Sequence, residues 1–185
     1  IGIFDEVTIN LSDNDQAIAA TTIREIFAES FDNGLDNWTI DNGGSTSETW
    51  ITIDEFSGGS LNGSNFLFYD SDGPGNGETS NETITSPVID AAGITDLSLS
   101  FDQFFRAYDE GGFEELFVEV FDGTEWQEVY YLNQDDGSVG SWASPDSQVL
   151  DVSAFANANF RVRFHFISGW DWWWAIDNLS VSGQI

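Results

Sequence analysis

The chain has 185 residues, with 33 acidic side chains set against four arginines and no lysine, and a formal net charge of −29 at pH 7. A field of that sign repels nucleic acid and anionic membrane surfaces, which excludes both as partners. There is no cysteine for disulfide or thiolate chemistry, and no run of 18 apolar residues to span a bilayer.

Hydrophobic residues make up 41% and aromatic residues 15%, enough to fill one domain core despite the charge. The self-repulsion must be relieved by salt or bound cations, so a saline extracellular or cell-surface setting, or one rich in calcium, is expected. The first residue is isoleucine and methionine is absent throughout. The expectation is therefore that a leader was removed or that the chain is a piece of a longer protein.

Residues 1–22 stand apart from the rest. In "IGIFDEVTINL", Ile1, Ile3, Val7, Ile9 and Leu11 alternate onto one face, and the polar run "SDNDQAIAATT" tethers them to the remainder of the chain. Such a strand is the edge strand of this domain, the last strand of a preceding one, or a strand donated to a neighbouring subunit. Donation satisfies an exposed sheet edge with main-chain hydrogen bonds.

From residue 23 to 185, period-two patterns between Gly, Asn and Asp clusters predict ten strands and no helix. They are 23–31, 50–53, 65–69, 83–89, 97–105, 115–121, 126–132, 148–152, 160–167 and 173–181. This predicts an all-β antiparallel sandwich or jelly roll with an extra N-terminal strand. "FDGTEW" (121–126) is a hairpin turn, in which Asp-Gly supplies the positive φ.

Chemistry-bearing residues fall at four places along these strands. In 23–31, alternation with Phe27 and Phe31 turns Glu29 towards the core. The loop "YDSDGPGNGE" spaces Asp70, Asp72 and Asn76 like the first half of a calcium loop, but proline and an extra glycine break the pattern, and a plain acidic turn fits equally. In 160–167 the sole histidine, His165, lies beside Arg161 and Arg163, opposite the face of Phe160, Val162, Phe164 and Phe166. One histidine, no cysteine and no GxSxG motif leave a hydrolytic triad or a zinc centre without support.

The last strand carries "SGWDWWWAIDNLSV", with four of the eight tryptophans within five residues. Alternation with Leu179 and Val181 turns Asp177 inward, so Glu29 and Asp177 would face each other in the interior. With so few cations in the chain, a calcium ion is the expected partner, unless an arginine or a bulge intervenes. The same alternation buries Trp173 and leaves Trp170, Trp172 and Trp174 outside, as a glycan platform or a subunit contact. A bulge in "WDWWW" would bury more of them. Asn-X-Ser/Thr sequons at Asn10, Asn37, Asn62, Asn81 and Asn178 offer glycosylation sites on an exported surface.

Four segments, "FAESFDNGLDNWT", "ITSPVIDAAGITDLSLSFDQFF", "ELFVEVFDGTEWQEVY" and "RVRFHFISGWDWWWAIDNLSV", together resemble the MAM-like jelly rolls, including the cleaved-adhesin domains of secreted bacterial proteins. The resemblance covers residues 27–181. It implies a non-catalytic domain for adhesion or protein and glycan contact, with structural calcium near the first and last strands. Carried over by position, it supports Glu29 and Asp177 and adds Asp102 of "LSFDQ". The cysteines of animal MAM domains are missing, and the tryptophan run is denser than the pattern needs.

The function expected from these readings is a calcium-stabilised extracellular protein for adhesion or self-assembly, as a surface or filament subunit. The alternative is a carbohydrate-binding module of a secreted enzyme.

Overall fold

A computed structural model describes residues 22–108 and 113–185. Eleven strands form two antiparallel sheets: β1 Ile23–Glu29, β2 Thr39–Asn42, β3 Ile51–Ile53, β4 Phe66–Asp70, β5 Ser80–Thr85, β6 Thr95–Arg106, β7 Glu114–Phe121, β8 Trp126–Asn133, β9 Asp146–Asp151, β10 Val162–Ser168 and β11 Trp173–Gln184. One sheet runs β3-β4-β11-β6-β9 with β1 also on β11; the other runs β2-β5-β10-β7-β8. The fold is an all-β sandwich of jelly-roll type, as the alternation predicts. The ten expected strands are present, and β2 is the one the pattern missed: its four residues are all exposed and carry no buried alternation. The N-terminal strand and tether, with Ile1, Ile3, Val7, Ile9, Leu11 and Asn10, lie outside the described residues.

Sequence alternation builds the interior. β7 alternates Glu114, Leu116, Val118 and Val120 inward, and β10 alternates Val162, Phe164, Phe166 and Ser168 inward. Facing them from the other sheet are Leu67, Tyr69, Phe101, Phe105 and Trp174. The rings meet edge to face, as Phe101–Phe164 at 5.6 Å and Phe164–Trp174 at 5.6 Å do. The Asp-Gly turn forms as expected, with Gly123 at φ 101° and the Asp122 amide donating to the Glu125 carbonyl.

β11 is the element that positions the candidate sites. Its first half, Trp173–Ile176, lies between β4 and β6; its second half lies between β1 and β6. Between the two halves β11 carries one extra residue relative to β6, at Asn178, whose φ is 51°. The bulge reverses the alternation. Leu179 and Val181 face the core on one side of it, and Trp174 and Ile176 on the other. Trp173, Ala175 and Asp177 therefore point away from the other sheet.

That outward face is covered by a second apolar cluster. Trp173 and Ala175 pack with Leu61, Phe66, Phe68 and Phe104, and Phe56, Trp142 and Trp172 close over them. Trp142 lies parallel to Trp173, at 6.1 Å and 9°. Gly59 makes room for it: a Cβ there would lie 2.1 Å from Trp142 Cδ1.

Candidate functional site

The tryptophan run divides by depth. Trp174 is fully buried, and its Nε1 donates to Gln103 Oε1 at 3.0 Å. The expectation that it shares an exposed face with Trp170 and Trp172 is thus overturned by the bulge at Asn178. Trp173, expected in the main core, is buried in the outer cluster instead. Trp172 is half-buried, with the Arg106 guanidinium 4.6 Å over its ring. Trp170 is 39% exposed.

Trp170 and Trp172 are gathered by Tyr108, whose ring lies 5.9 Å and 6.1 Å from theirs. Phe113, 47% exposed, packs against Gly169 and extends the patch. Sequence reading missed Tyr108 and Phe113 because they lie at the end of β6 and before β7, far from the tryptophan run in the chain. The rings stand at one end of the sandwich, where the β10–β11 turn meets the ends of β6 and β7.

Beneath these rings lie two acids that alternation did not single out. Glu114 opens β7 opposite Ser168 of β10, and the Gly169 amide donates to the Phe113 carbonyl at 3.0 Å, which holds the β10–β11 turn against them. Glu114 Oε2 accepts from the Tyr108 amide at 3.2 Å. Its carboxylate also lies near the Trp172 amide, next in sequence to Asp171. Glu114 and Asp171 are 1% and 3% exposed. Burial, with the Asp171 charge second, pushes the Glu114 carboxyl up to about 8. Burial pushes Asp171 up to about 6, tempered by the nearby amides of Gly169 and Phe113.

Of the residues expected to hold calcium near the first and last strands, Asp177 and Asp102 are brought together and Glu29 is not. Glu29 stands opposite Leu179, on the core side of the sheet edge, and accepts from the Phe31 amide at 2.9 Å and Trp38 Nε1 at 3.2 Å. Asp177 points to the other face, where β1 ends and β4 begins. Its carboxylate accepts from the Asn178 amide at 2.7 Å, Asn62 Nδ2 at 3.1 Å and Ser64 Oγ at 3.5 Å. The expected face-to-face pairing of Glu29 with Asp177 is corrected by the same bulge: the acids near Asp177 are Asp32 and Asp102. Burial raises the Asp177 pKa, and those two charges add to the rise. Asp102 stands opposite Asp177 on β6, with Asn62, Asn178 and Ser147 all donating to it. Burial pushes the Asp102 carboxyl up, but the three donors together outweigh it and hold it below its ordinary range.

In the acidic loop, Asp70 Oδ1 accepts from the Asp72 amide at 3.1 Å and the Asp72 carbonyl from the Gly75 amide, an arrangement of ordinary turns. Among the described residues no three His, Asp or Glu side chains converge with metal-ligand spacing.

The other expected sites are on the surface. Asn37, Asn62, Asn81 and Asn178 are all exposed, although the amides of Asn62 and Asn178 are engaged with Asp102. His165 Nε2 meets Asn81 Oδ1 at 2.7 Å, and its Nδ1 lies 3.7 Å from Glu119, which is itself gripped at two points by Arg163. On this outer face of β10, Arg161, Arg163, Trp126, Thr39 and Thr83 line a groove of about 420 Å³. No helix among the described residues is long and apolar enough to cross a membrane.

No protein-family model and no curated protein matches the chain. Solved structures do. The K3 cleaved adhesin domain of Lys-gingipain from Porphyromonas gingivalis superposes with a TM-score of 0.62 at 15% identity, covering 87% of this chain and 99% of that one. The K1 domain of the same protein gives 0.63 at 14%, covering 86% and 97%. TmCBM61, solved in complex with β-1,4-galactotriose, gives 0.53 at 11%, covering 82% and 92%. At such identities the likeness is one of architecture, and the architecture is that of an adhesin-like β-sandwich.

Proposed function

We propose that this chain is a non-catalytic extracellular recognition domain, which meets a protein or glycan partner through the aromatic patch of Trp170, Trp172, Tyr108 and Phe113. The observation that carries this reading is the patch itself. Large rings, two of them more than a third exposed, are gathered from three chain segments at one end of a strongly acidic chain. Rings held at a rim by neighbouring rings lose little side-chain freedom on contact, which is what a binding hot spot requires.

The adhesin-like architecture supports an adhesive or assembling role over an enzymatic one. His165, the only side chain with an ordinary pKa near neutrality, is engaged with Asn81 and Glu119. The two carboxyls of raised pKa beneath the rings are too deeply buried to meet a substrate. A charge of −29 suits an exported protein in saline or calcium-containing surroundings. Self-assembly through residues 1–22 belongs to the same proposal.

A second reading, a carbohydrate-binding module, draws on the groove beside Trp126, where polar side chains and a ring line one concave face. One set of measurements separates the two. On a glycan array and in sedimentation of the full chain, W170A/F113A is expected to abolish partner binding or assembly with its melting temperature unchanged. Loss of binding in W126A, with W170A/F113A unaffected, would move the site to the groove. Deletion of residues 1–22 with no change in assembly state would remove strand donation.

A further inference from the structure

Four oxygens beneath the aromatic patch lack any hydrogen-bond partner among the described residues: Glu114 Oε1, Ser168 Oγ and both carboxylate oxygens of Asp171. All four are buried, on residues no more than 3% exposed. Glu114 and Ser168 are directly opposed in the β7–β10 pair, so their side chains rise on the same face of the sheet. Asp171 follows three residues after Ser168, and the amide next to it lies near the Glu114 carboxylate. Orphaned polar atoms are rare in folded interiors, and each needs an explanation. Here they are all oxygen and carry two formal charges.

The contrast with the other acidic cluster sharpens the point. Asp102 and Asp177 also lie side by side, yet Asn62, Ser64, Asn178 and Ser147 supply them with donors. At Glu114 and Asp171 the only donor in full hydrogen-bond geometry among the described residues is the Tyr108 amide, with the amides of Trp172, Gly169 and Phe113 nearby. Arg106, the nearest arginine along the chain, is turned over the rings of Trp172 and Trp173 and forms no ion pair among the described residues. A chain with 33 acids and four arginines has few cationic side chains to place there. A dissolved cation meets the need without one.

We propose that Glu114, Asp171 and the hydroxyl of Ser168 hold one hard divalent cation, of the calcium class, at the end of the sandwich where β7 opposes the β10–β11 turn. Two carboxylates and a hydroxyl form an all-oxygen set that suits a large, hard ion of irregular geometry, with main-chain carbonyls or water completing its shell. The ion would clamp the β10–β11 turn, from which Trp170 and Trp172 project, against the start of β7. This gives the aromatic patch a support that the apolar core does not reach. The site does not rest on the recognition role proposed above, because it can be read with no partner present.

The test is titration of the chelator-treated full chain with terbium, a calcium surrogate whose emission is excited through nearby tryptophans. Wild type is expected to give saturable emission that calcium displaces. E114Q and D171N, which keep shape but remove charge, are expected to weaken terbium binding by at least about tenfold. D70N/D72N and D177N are expected to leave it unchanged. Equal titration of wild type, E114Q and D171N overturns the proposal, as does emission lost only in D177N. If the amide variants fail to fold, native mass spectrometry of wild type decides: one bound calcium removed by chelator supports the site, and none overturns it. Failure of this titration leaves partner binding by W170A/F113A as an independent measurement.

Discussion

At Asn178 the backbone takes a left-handed φ of 51°, a conformation that asparagine adopts more readily than most residues. That single residue decides that Trp174 is core while Trp173 is not, and that Asp177 looks away from Glu29. Glu114 presents a different residue-level effect, one of proton linkage. In the folded, metal-free chain its pKa is about 8 and that of Asp171 about 6, both above the unfolded values. The folded state then holds protons that the unfolded chain releases. Their contribution to stability is complete below about pH 4 and is lost as pH rises through 6 and then 8. In chelator, urea unfolding midpoints should therefore fall between pH 5 and pH 8.5. Asp70, Glu82 and Asp177 are also raised by burial, in the same direction. E114Q should flatten its upper half, and a wild-type slope retained in E114Q would remove Glu114 as its source. Asp102 shifts in the opposite direction in the acid range, outside this window, whereas burial lowers His165, whose contribution rises with pH in the lower half of the window and offsets part of the slope there.

Among the elements, the covering of the outward face depends on a close approach that only glycine allows. Gly59→Ala places a methyl against the Trp142 indole, which is itself wedged between Phe66, Phe104 and Trp173. Overpacking of this kind costs roughly 1–3 kcal/mol, and the loss should be largely relieved in a G59A/W142F pair, measured by denaturant unfolding. At this scale the sequence was most readable. Ten strands emerge from alternation and turn residues, since a half-buried strand prints its burial on its own pattern. β2 does not, because all four of its residues are exposed. The sites were less readable for a related reason. Alternation carries parity through a strand and fails at an inserted residue, so the inferences on Asp177 and Trp174, which crossed Asn178, came out on the wrong face, while Glu29, on β1, faces the core as expected. The Glu114–Ser168–Asp171 group lay hidden because only pairing in space joins β7 to the β10–β11 turn; the one local hint was a glutamate at an inward position, in phase with Leu116 and Val118.

For the whole molecule, charge opposes what packing favours. With a formal charge of −29 on 185 residues, compaction brings like charges together, and salt should screen their repulsion. The melting temperature is expected to rise steadily between low salt and about 0.5 M sodium chloride, as the screening length falls from tens of ångströms to a few. A flat profile would show that the acids are neutralised locally rather than by the medium.

The last strand has a further consequence. Since β11 alone links β1 and β4 to β6, a nascent chain that has not yet released residues 173–184 from the ribosome has no completed larger sheet to lay against the smaller one. The pairings of β11 with β1, β4 and β6 span much of the chain, the kind of connectivity that makes folding slow and late. The domain thus closes only once β11 is free to pair, and until then its aromatic strands remain exposed to whatever handles the chain during synthesis.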